Sequence, residues 1–137
     1  MAEDNRFVIK IITPDRVFYE GQADMVELTT TEGDIGIYAD HIPLTTIVAP
    51  GIMTITEPGG KLKEAAVLEG FMEITQEKVT ILAQSCEWPE EIDVNRAEAA
   101  KERAEARIKT KAENLDLKRA EYALHKALIR IDVAGHR

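Results

Sequence analysis

Between Phe7 and Gln84 the apolar positions come in short runs, each closed by turn residues. In "FVIKII" the side chains of Phe7, Ile9 and Ile11 fall on one face of an extended segment, and "MVELTT", "GIMTIT", "AAVLEG", "FMEIT" and "VTILAQ" are runs of the same kind. Side chains alternate between faces along a strand, so each run reads as a strand with one face toward a core. The stretches "TPDR", "YEGQAD", "TEGDIG", "APG", "EPGGK" and "TQEK" supply turn signals between the runs. Many short strands at this spacing predict an antiparallel sandwich or a flattened barrel.

The period changes after Cys86. Trp88-Pro89 interrupts the last strand, because proline cannot donate to a sheet ladder and restricts the residue before it. From Val94 onward there is no proline, glycine occurs only at Gly135, and Ala, Glu, Lys and Arg dominate. These are good helix formers. Asp93 reads as a helix N-cap, and "ENLDLK" around Asn114 and Asp116 offers a break and a second cap. The expectation is a helical hairpin from Val94 to Glu113 and from Leu117 to Val133. Its first stripe is Ala97, Ala100, Ala104, Ile108 and Leu115; its second is Leu117, Ala120, Leu124, Ala127, Leu128 and Ile131. Alanine facing alanine lets helices approach closely but buries little area at ~25 cal/mol per Å², so the hairpin should be weakly held and able to leave its docking surface.

Charge divides the chain at the same place. Residues 1–88 carry 6 Lys or Arg against 15 Asp or Glu, net −9, and residues 89–137 carry 11 against 10, net +1. An acidic body with a densely charged, near-neutral tail implies two modules, 1–88 and 89–137, with different tasks. So acidic a body argues against non-specific nucleic-acid binding, which phosphate repulsion would oppose. No apolar run approaches the roughly 20 residues of a spanning helix, and "MAEDNRFVIK" lacks a signal-peptide core, which implies a protein kept in the cytosol. A single cysteine, Cys86, excludes an internal disulfide, and the three histidines form no metal-ligand spacing.

The chemistry-bearing pattern is "EEIDVNRAEAAKERAEARI", in which Arg-Ala recurs seven residues apart at Arg96-Ala97 and Arg103-Ala104. Seven residues are close to two helical turns, so both arginines stand on one face beside the alanine stripe. An arginine in the first turn meets the positive end of the helix dipole, which costs ~0.3–1 kcal/mol unless an anion lies near. Two readings stay open from spacing alone. Arg96 pairs with Asp93 or Glu87 or is solvated, or Arg96 and Arg103 supply forked donors to phosphate with Lys126 and Arg130 closing over it. Elsewhere, Asp40-His41 within "EGDIGIYADHIPLTT" has no accompanying nucleophile, and the loop presenting His41, Ile42 and Leu44 suits partner contact better than catalysis. Cys86 reads as a packing residue and Trp88 as a hinge lid or an exposed contact. "EPGGK" reads as a hairpin turn without the Lys-Ser/Thr ending of a P-loop.

Taken in order, "ITPDRVFYEG", "EGDIGIYADHIPL", "VLEGFMEITQEKVTILA" and the helical tail resemble the epsilon-subunit family of the rotary ATP synthase over nearly the whole chain. The resemblance implies a ten-stranded antiparallel β-sandwich followed by a two-helix hairpin. It also implies a non-catalytic central-stalk part that binds the gamma subunit and the c-subunit ring at the cytoplasmic face of a bacterial membrane. The hairpin would either fold down on the sandwich or extend toward the catalytic alpha/beta head and block ATP hydrolysis. The ATP-binding members share a pattern that here reads Ile92-Asp93-x-x-Arg96-Ala97-x-x-Ala100-x-x-Arg103-Ala104-x-x-Arg107-Ile108, with Ile108 where the family has leucine. The implied ATP contacts are Ile92 and Asp93 toward adenine with Glu87 close by, Ala97 within the motif, and Arg96, Arg103, Lys126 and Arg130 toward phosphates, with or without magnesium. Lys126 stands where related members carry arginine; it keeps the charge and loses the fork. A purely mechanical coupling subunit that binds no nucleotide is the competing reading. In it Lys118, Arg119, Lys126 and Arg130 meet acidic loops of the head.

Overall fold

The computed structural model describes residues 6–110 and 116–136. It divides into two compact units, Met1–Glu87 and Trp88–Arg137. The first is built from eight strands: β1 Phe7–Thr13, β2 Arg16–Ala23, β3 Met25–Thr30, β4 Gly33–Ile37, β5 Leu44–Val48, β6 Gly51–Thr56, β7 Leu62–Ile74 and β8 Lys78–Glu87. Along the sheet the order is β2-β1-β8-β7-β5-β3-β4, and β6 bridges β3 and β7. Because β3 and β7 each pair with both β5 and β6, the ladder closes on itself as a flattened two-layered sandwich.

The implied count of ten strands is corrected to eight among the described residues. "AAVLEG" and "FMEIT" are not two strands but one, β7, whose first half pairs with β6 and second half with β5. A bulge with register shifts around Glu69 bends it instead of ending it. The bend depends on Gly70, where an added Cβ would collide with the Leu82 carbonyl and reach within 2.9 Å of Ala83 Cα. Two stretches read as turns lie largely in strands: "YEGQAD" has Tyr19–Ala23 in β2, and "TEGDIG" has Gly33–Gly36 in β4. Both are edge strands at the ends of the sheet order, where backbone pairing to one neighbour suffices and few side chains need burial, so the apolar signal is weak. The sheet is also not wholly antiparallel: β1 runs parallel to β8 from Val8↔Lys78 to Ile12↔Leu82.

Alternation places the core as the sequence implied. Phe7, Ile9 and Ile11 point inward, and Ile37, Met53, Ile55, Met72 and Ile81 are wholly enclosed with them. Cys86 is buried among these strands as a small apolar group. The "EPGGK" turn is a hairpin tip closed by the Glu57 N–H to Lys61 carbonyl bond of 2.8 Å, with Gly59 and Gly60 at positive φ.

The second unit opens with a single 3-10 turn, Pro89–Glu91, held by the Trp88 N–H donating to Glu91 Oε1 at 2.9 Å. Helix α1 spans Val94–Thr110 and α2 spans Leu117–Ala134. Asp93 caps α1 by accepting the Arg96 N–H at 3.0 Å, and Asp116 caps α2 by accepting the Arg119 N–H at 3.1 Å. The expected end of the first helix at Glu113, the break at Asn114 and the stripe residue Leu115 lie outside the described residues. The helices pack on each other and are joined by only six residues, so they run antiparallel. Buried in the unit are Ala97 and Ala104 of α1 and Ala120, Ala127, Ile129, Val133 and Ala134 of α2. Leu117 and Leu128, expected in the stripe, are exposed, and Ile129 is buried instead. Leu117 and Leu128 sit about 60–80° round the helix from Ala120, whereas the buried Ile129 and Val133 lie about 140–180° away, so burial on α2 is not confined to the alanine seam.

Candidate functional site

The hairpin owes its shape to alanines spaced by seven. Ala97 and Ala104 form one side of the seam, Ala120 and Ala127 the other. At about 100° per residue, the residues just before each buried alanine emerge on one flank of their helix. In an antiparallel pair these preceding positions of both helices come out on the same side, as g positions do in an antiparallel coiled coil. That flank carries Arg96, Arg103 and Arg107 from α1 and Arg119, Lys126 and Arg130 from α2. The opposite flank carries Glu98, Glu102 and Glu105 with Lys109 from α1, and Glu121 and Asp132 from α2. The near-neutral tail is therefore segregated into a basic side and an acidic side.

Six cations on one flank repel one another unless an anion intervenes. Among the described residues, the guanidinium groups of Arg96, Arg103 and Arg107 make no ion pair or hydrogen bond. Asp93, a proposed pairing partner of Arg96, spends one carboxylate oxygen on the Arg96 backbone N–H rather than on its side chain. The other oxygen faces solvent, since Asp93 is exposed. Lys126 is half-buried with its Nζ 4.8 Å from the centre of the Tyr122 ring, and Arg130 is half-buried one turn further on.

The structure thus brings Arg96, Arg103, Lys126 and Arg130 to one flank and places Ala97 beneath Arg96 in the seam. Ile92 is only 3% exposed, so it offers no open apolar platform in this arrangement. Glu87 is the last residue of β8 and belongs to the first unit. Arg107 and Arg119 extend the basic flank beyond the set singled out for phosphate. Their signal was present in the sequence as helical spacing from flank residues: Arg107 lies four after Arg103, and Arg119 seven before Lys126.

The sandwich carries a surface that the sequence reading passed over. Ile47 of β5 pairs with Phe71 of β7, Phe71 with Leu82 of β8, Leu82 with Ile12 of β1, and Ile12 with Val17 of β2. Ile47, Phe71, Leu82 and Val17 are all exposed, which makes an apolar band across five strands. Beside it runs a polar row, Thr45, Glu73, Thr80, Lys10 and Glu20, in matching register. The signal was a set of apolar doublets, Ile11-Ile12, Val17-Phe18, Ile47-Val48, Phe71-Met72 and Ile81-Leu82. Adjacent strand residues face opposite ways, so each doublet puts one member in the core and one outside. The 38–44 loop adds to the exposed apolar surface, with Tyr38 62% and Ile42 79% exposed. Asp40 there adopts φ 63°, and the His41 Nδ1–H donates to the Ile42 carbonyl at 2.7 Å, a structural use of the imidazole.

No described helix is long and apolar enough to cross a membrane. Among the described residues no group of three or more His, Cys, Asp or Glu is placed to hold a metal ion.

Comparison with known proteins agrees along the whole chain. Residues 6–89 match the beta-sandwich domain of the ATP synthase Delta/Epsilon chain, and residues 90–135 match its long alpha-helix domain. The chain is 47% identical over 132 residues to the ATP synthase epsilon chain of Caldanaerobacter subterraneus subsp. tengcongensis, covering 96% of each. It is 46% identical over 128 residues to that of Halalkalibacterium halodurans, covering 93% of this chain and 96% of the relative. In fold it is similar to a chain of the Euglena gracilis mitochondrial ATP synthase, with a TM-score of 0.82 at 24% identity over 96% of this chain and 82% of that one. A chain of the Tetrahymena thermophila mitochondrial ATP synthase central stalk and c-ring gives a TM-score of 0.60 at 14% identity, covering 95% and 94%. With both of its units matched in order and close relatives spanning nearly its full length, the chain belongs to the ATP synthase delta/epsilon family.

Proposed function

We propose that this chain is the non-catalytic epsilon subunit of the central stalk of a bacterial proton-translocating ATP synthase, and that its hairpin is an ATP-responsive brake. The first half of the reading rests on family membership. In it the sandwich docks on the gamma subunit and the c-subunit ring at the cytoplasmic face of the membrane, holding the protein there peripherally. The apolar band from Ile47 to Val17 supports docking, because an exposed apolar row of this length on a sandwich fits a protein partner better than water.

The observation that carries the ATP reading is the basic flank, on which the Arg96, Arg103 and Arg107 guanidinium groups make no ion pair or hydrogen bond among the described residues. ATP brings about four negative charges, and guanidinium groups on two facing helices can bind its phosphates with forked donors. Arg96 and Arg103 supply them from α1; Lys126 and Arg130 supply charge from α2. The free carboxylate oxygen of Asp93 can accept from the adenine amino group. Binding of this kind joins α1 to α2 and so favours the compact hairpin over an extended one. A ligand shifts such an equilibrium only by its difference in affinity for the two forms, and the extended form loses the facing helix.

A mechanical subunit without nucleotide is the second reading, favoured by Lys126 in place of a forked donor and by the enclosure of Ile92. Lys118, Arg119, Lys126 and Arg130 of α2 would then meet acidic loops of the catalytic head. Calorimetric titration of the isolated protein with ATP, with and without magnesium, separates the two. Saturable binding that protects hairpin amides from hydrogen exchange supports the brake. No heat up to millimolar ATP defeats it and leaves the mechanical reading.

A further inference from the structure

The basic flank is longer than a triphosphate. Arg96 and Arg107 bound the row on α1 and stand about 16 Å apart at about 1.5 Å per residue. Side chains of one helix all lean toward its N-terminus, so the two guanidinium groups keep that separation instead of converging. The first and last phosphorus atoms of a triphosphate are four bonds apart, which at the reach of an extended chain, about 3.8 Å for three bonds, is about 5 Å. A charged hydrogen bond of about 2.8 Å at each end extends this to about 11 Å, enough for Arg96 and Arg103 but not for Arg107. Arg107 lies three residues before the end of α1 and Arg119 two after the start of α2, so in the antiparallel pair they stand level at the loop end of the flank. Both are exposed, and neither guanidinium makes an ion pair among the described residues. Lys126 and Arg130 have contacts of their own within the protein, so the spare charge of the flank is that of Arg107 and Arg119. Arg119 sits in the first turn of α2 as Arg96 does in α1, and neither first turn holds an acidic residue. Asp93 and Asp116 each accept one N–H there, which offsets the positive dipole ends only in part. The two helix N-termini thus favour negative charge at both ends of the flank.

We propose that the flank is a track for linear polyphosphate, a chain of about seven or more phosphates that runs from Arg96 past Arg103 to Arg107 and Arg119. This inference extends the reading of that flank as an ATP site, with which it shares Arg96 and Arg103. At about 2.5 Å per phosphate, two bonds at the same reach, seven phosphates cover the row. A nucleic-acid strand spaces its charges more widely, by about 3.4 Å, and is gripped by aromatic rings that stack its bases. None of the six flank positions is aromatic. The net charge of −8 opposes a polyanion at long range, but at about 0.1 M salt that repulsion is screened beyond about 10 Å, so binding rests on the close arginine contacts. A chain that joins Arg96 at one end to Arg107 and Arg119 at the other ties α1 to α2 along the whole flank. It therefore favours the compact hairpin more strongly than a triphosphate does.

The test is a calorimetric titration of the full chain at fixed ionic strength, without magnesium, using ATP, tripolyphosphate and a polyphosphate fraction of about eight phosphates. Such a chain offers a three-phosphate site about six registers, a gain of about sixfold by statistics alone. Two further exposed ion pairs, at about three- to fivefold each, raise the expected gain over tripolyphosphate to about 50–150-fold. Arg107→Gln combined with Arg119→Gln should return it to about sixfold. Both positions are exposed and glutamine keeps helix propensity, so the hairpin stays folded. Hydrogen exchange gives a second readout: the long chain should slow amides at the loop ends of α1 and α2 that tripolyphosphate leaves unchanged. A gain of about sixfold or less in the parent, the full gain in the double variant, or equal binding of a single-stranded DNA octamer overturns the inference; ATP binding in the same titrations then leaves the ATP site standing. Long-chain binding at the expected gain without ATP binding keeps the inference and defeats the ATP site. No binding of ATP, tripolyphosphate or the long chain overturns both.

Discussion

Ile81 in the sandwich and Ala104 in the hairpin are both almost wholly buried, yet they remove very different amounts of apolar surface from water. Ile81 pairs with Ile11 of β1 and Met72 of β7, and these are large side chains wholly enclosed in the core together with Ile9, Met53 and Ile55. Around Ala104 the seam is made of other alanines, each contributing about 0.8 kcal/mol for its one side-chain carbon. On the alanine seam alone the helix pair therefore buries far less apolar area than the sandwich core, although Ile129 and Val133 of α2 and Ile92 are buried in the hairpin unit as well. The lesson is that burial fraction says nothing of strength without side-chain volume. A protein that must keep one part fixed and let another part change can put large residues in the first and alanine in the second.

The strongest way to break this contrast is in the sandwich. Ile81→Ala should cost about 2–5 kcal/mol in denaturant unfolding of the sandwich, because the rigid layers collapse poorly around a cavity. A loss below about 1 kcal/mol would mean that the sandwich is as pliant as the hairpin. Next in size is Arg103→Ala, which should weaken ATP binding by about 1.5–3 kcal/mol as a charged hydrogen-bonding group is lost. Its effect on the stability of either unit should stay within about 0.5 kcal/mol, since the side chain is exposed. Stability and affinity falling together would show that the basic flank holds the hairpin rather than a ligand.

Ala104→Leu sharpens the contrast from the other side. Overfilling the alanine seam should cost the hairpin about 1–3 kcal/mol, read as faster amide exchange in α1 and α2 with strand exchange unchanged. The smallest effect is electrostatic and belongs to the sandwich. Tyr19 donates its hydroxyl proton to Glu57 Oε2 at 2.7 Å, and burial together with that carboxylate pushes its pKa up from 10.0 to about 12. A group whose folded pKa is raised keeps its stabilising effect below the unfolded value and loses it as pH rises. The sandwich should lose stability between pH 10 and about 12 in denaturant unfolding, and Tyr19→Phe should flatten that slope.

Particular residues show how far the chain could be read without its structure. Phe7, Ile9 and Ile11 announced β1 because alternation is local. Asp93 announced the start of α1 because a cap involves only the next three residues. Gly70 did not announce the bulge that makes one strand of β7, since its close approach is to Leu82 and Ala83 twelve and thirteen residues away. Edge strands β2 and β4 were hidden because a strand held by one neighbour needs few apolar residues. Arg96 and Arg103 stood out by spacing alone, but their lack of a local partner among the described residues did not.

By itself, then, the sequence determined the local structure and the division of labour: alternating apolar runs for a sandwich, alanine at seven-residue spacing for a hairpin, and the arginine row beside it. Those features depend on periodicity and on interactions within a few residues, which a linear string records. The tertiary structure alone decided the parallel pairing of β1 with β8, the band from Ile47 to Val17, and the meeting of α1 and α2 cations on one flank. Each of these joins residues far apart in the chain, and only strand register or helix pairing fixes which of many possible neighbours they have.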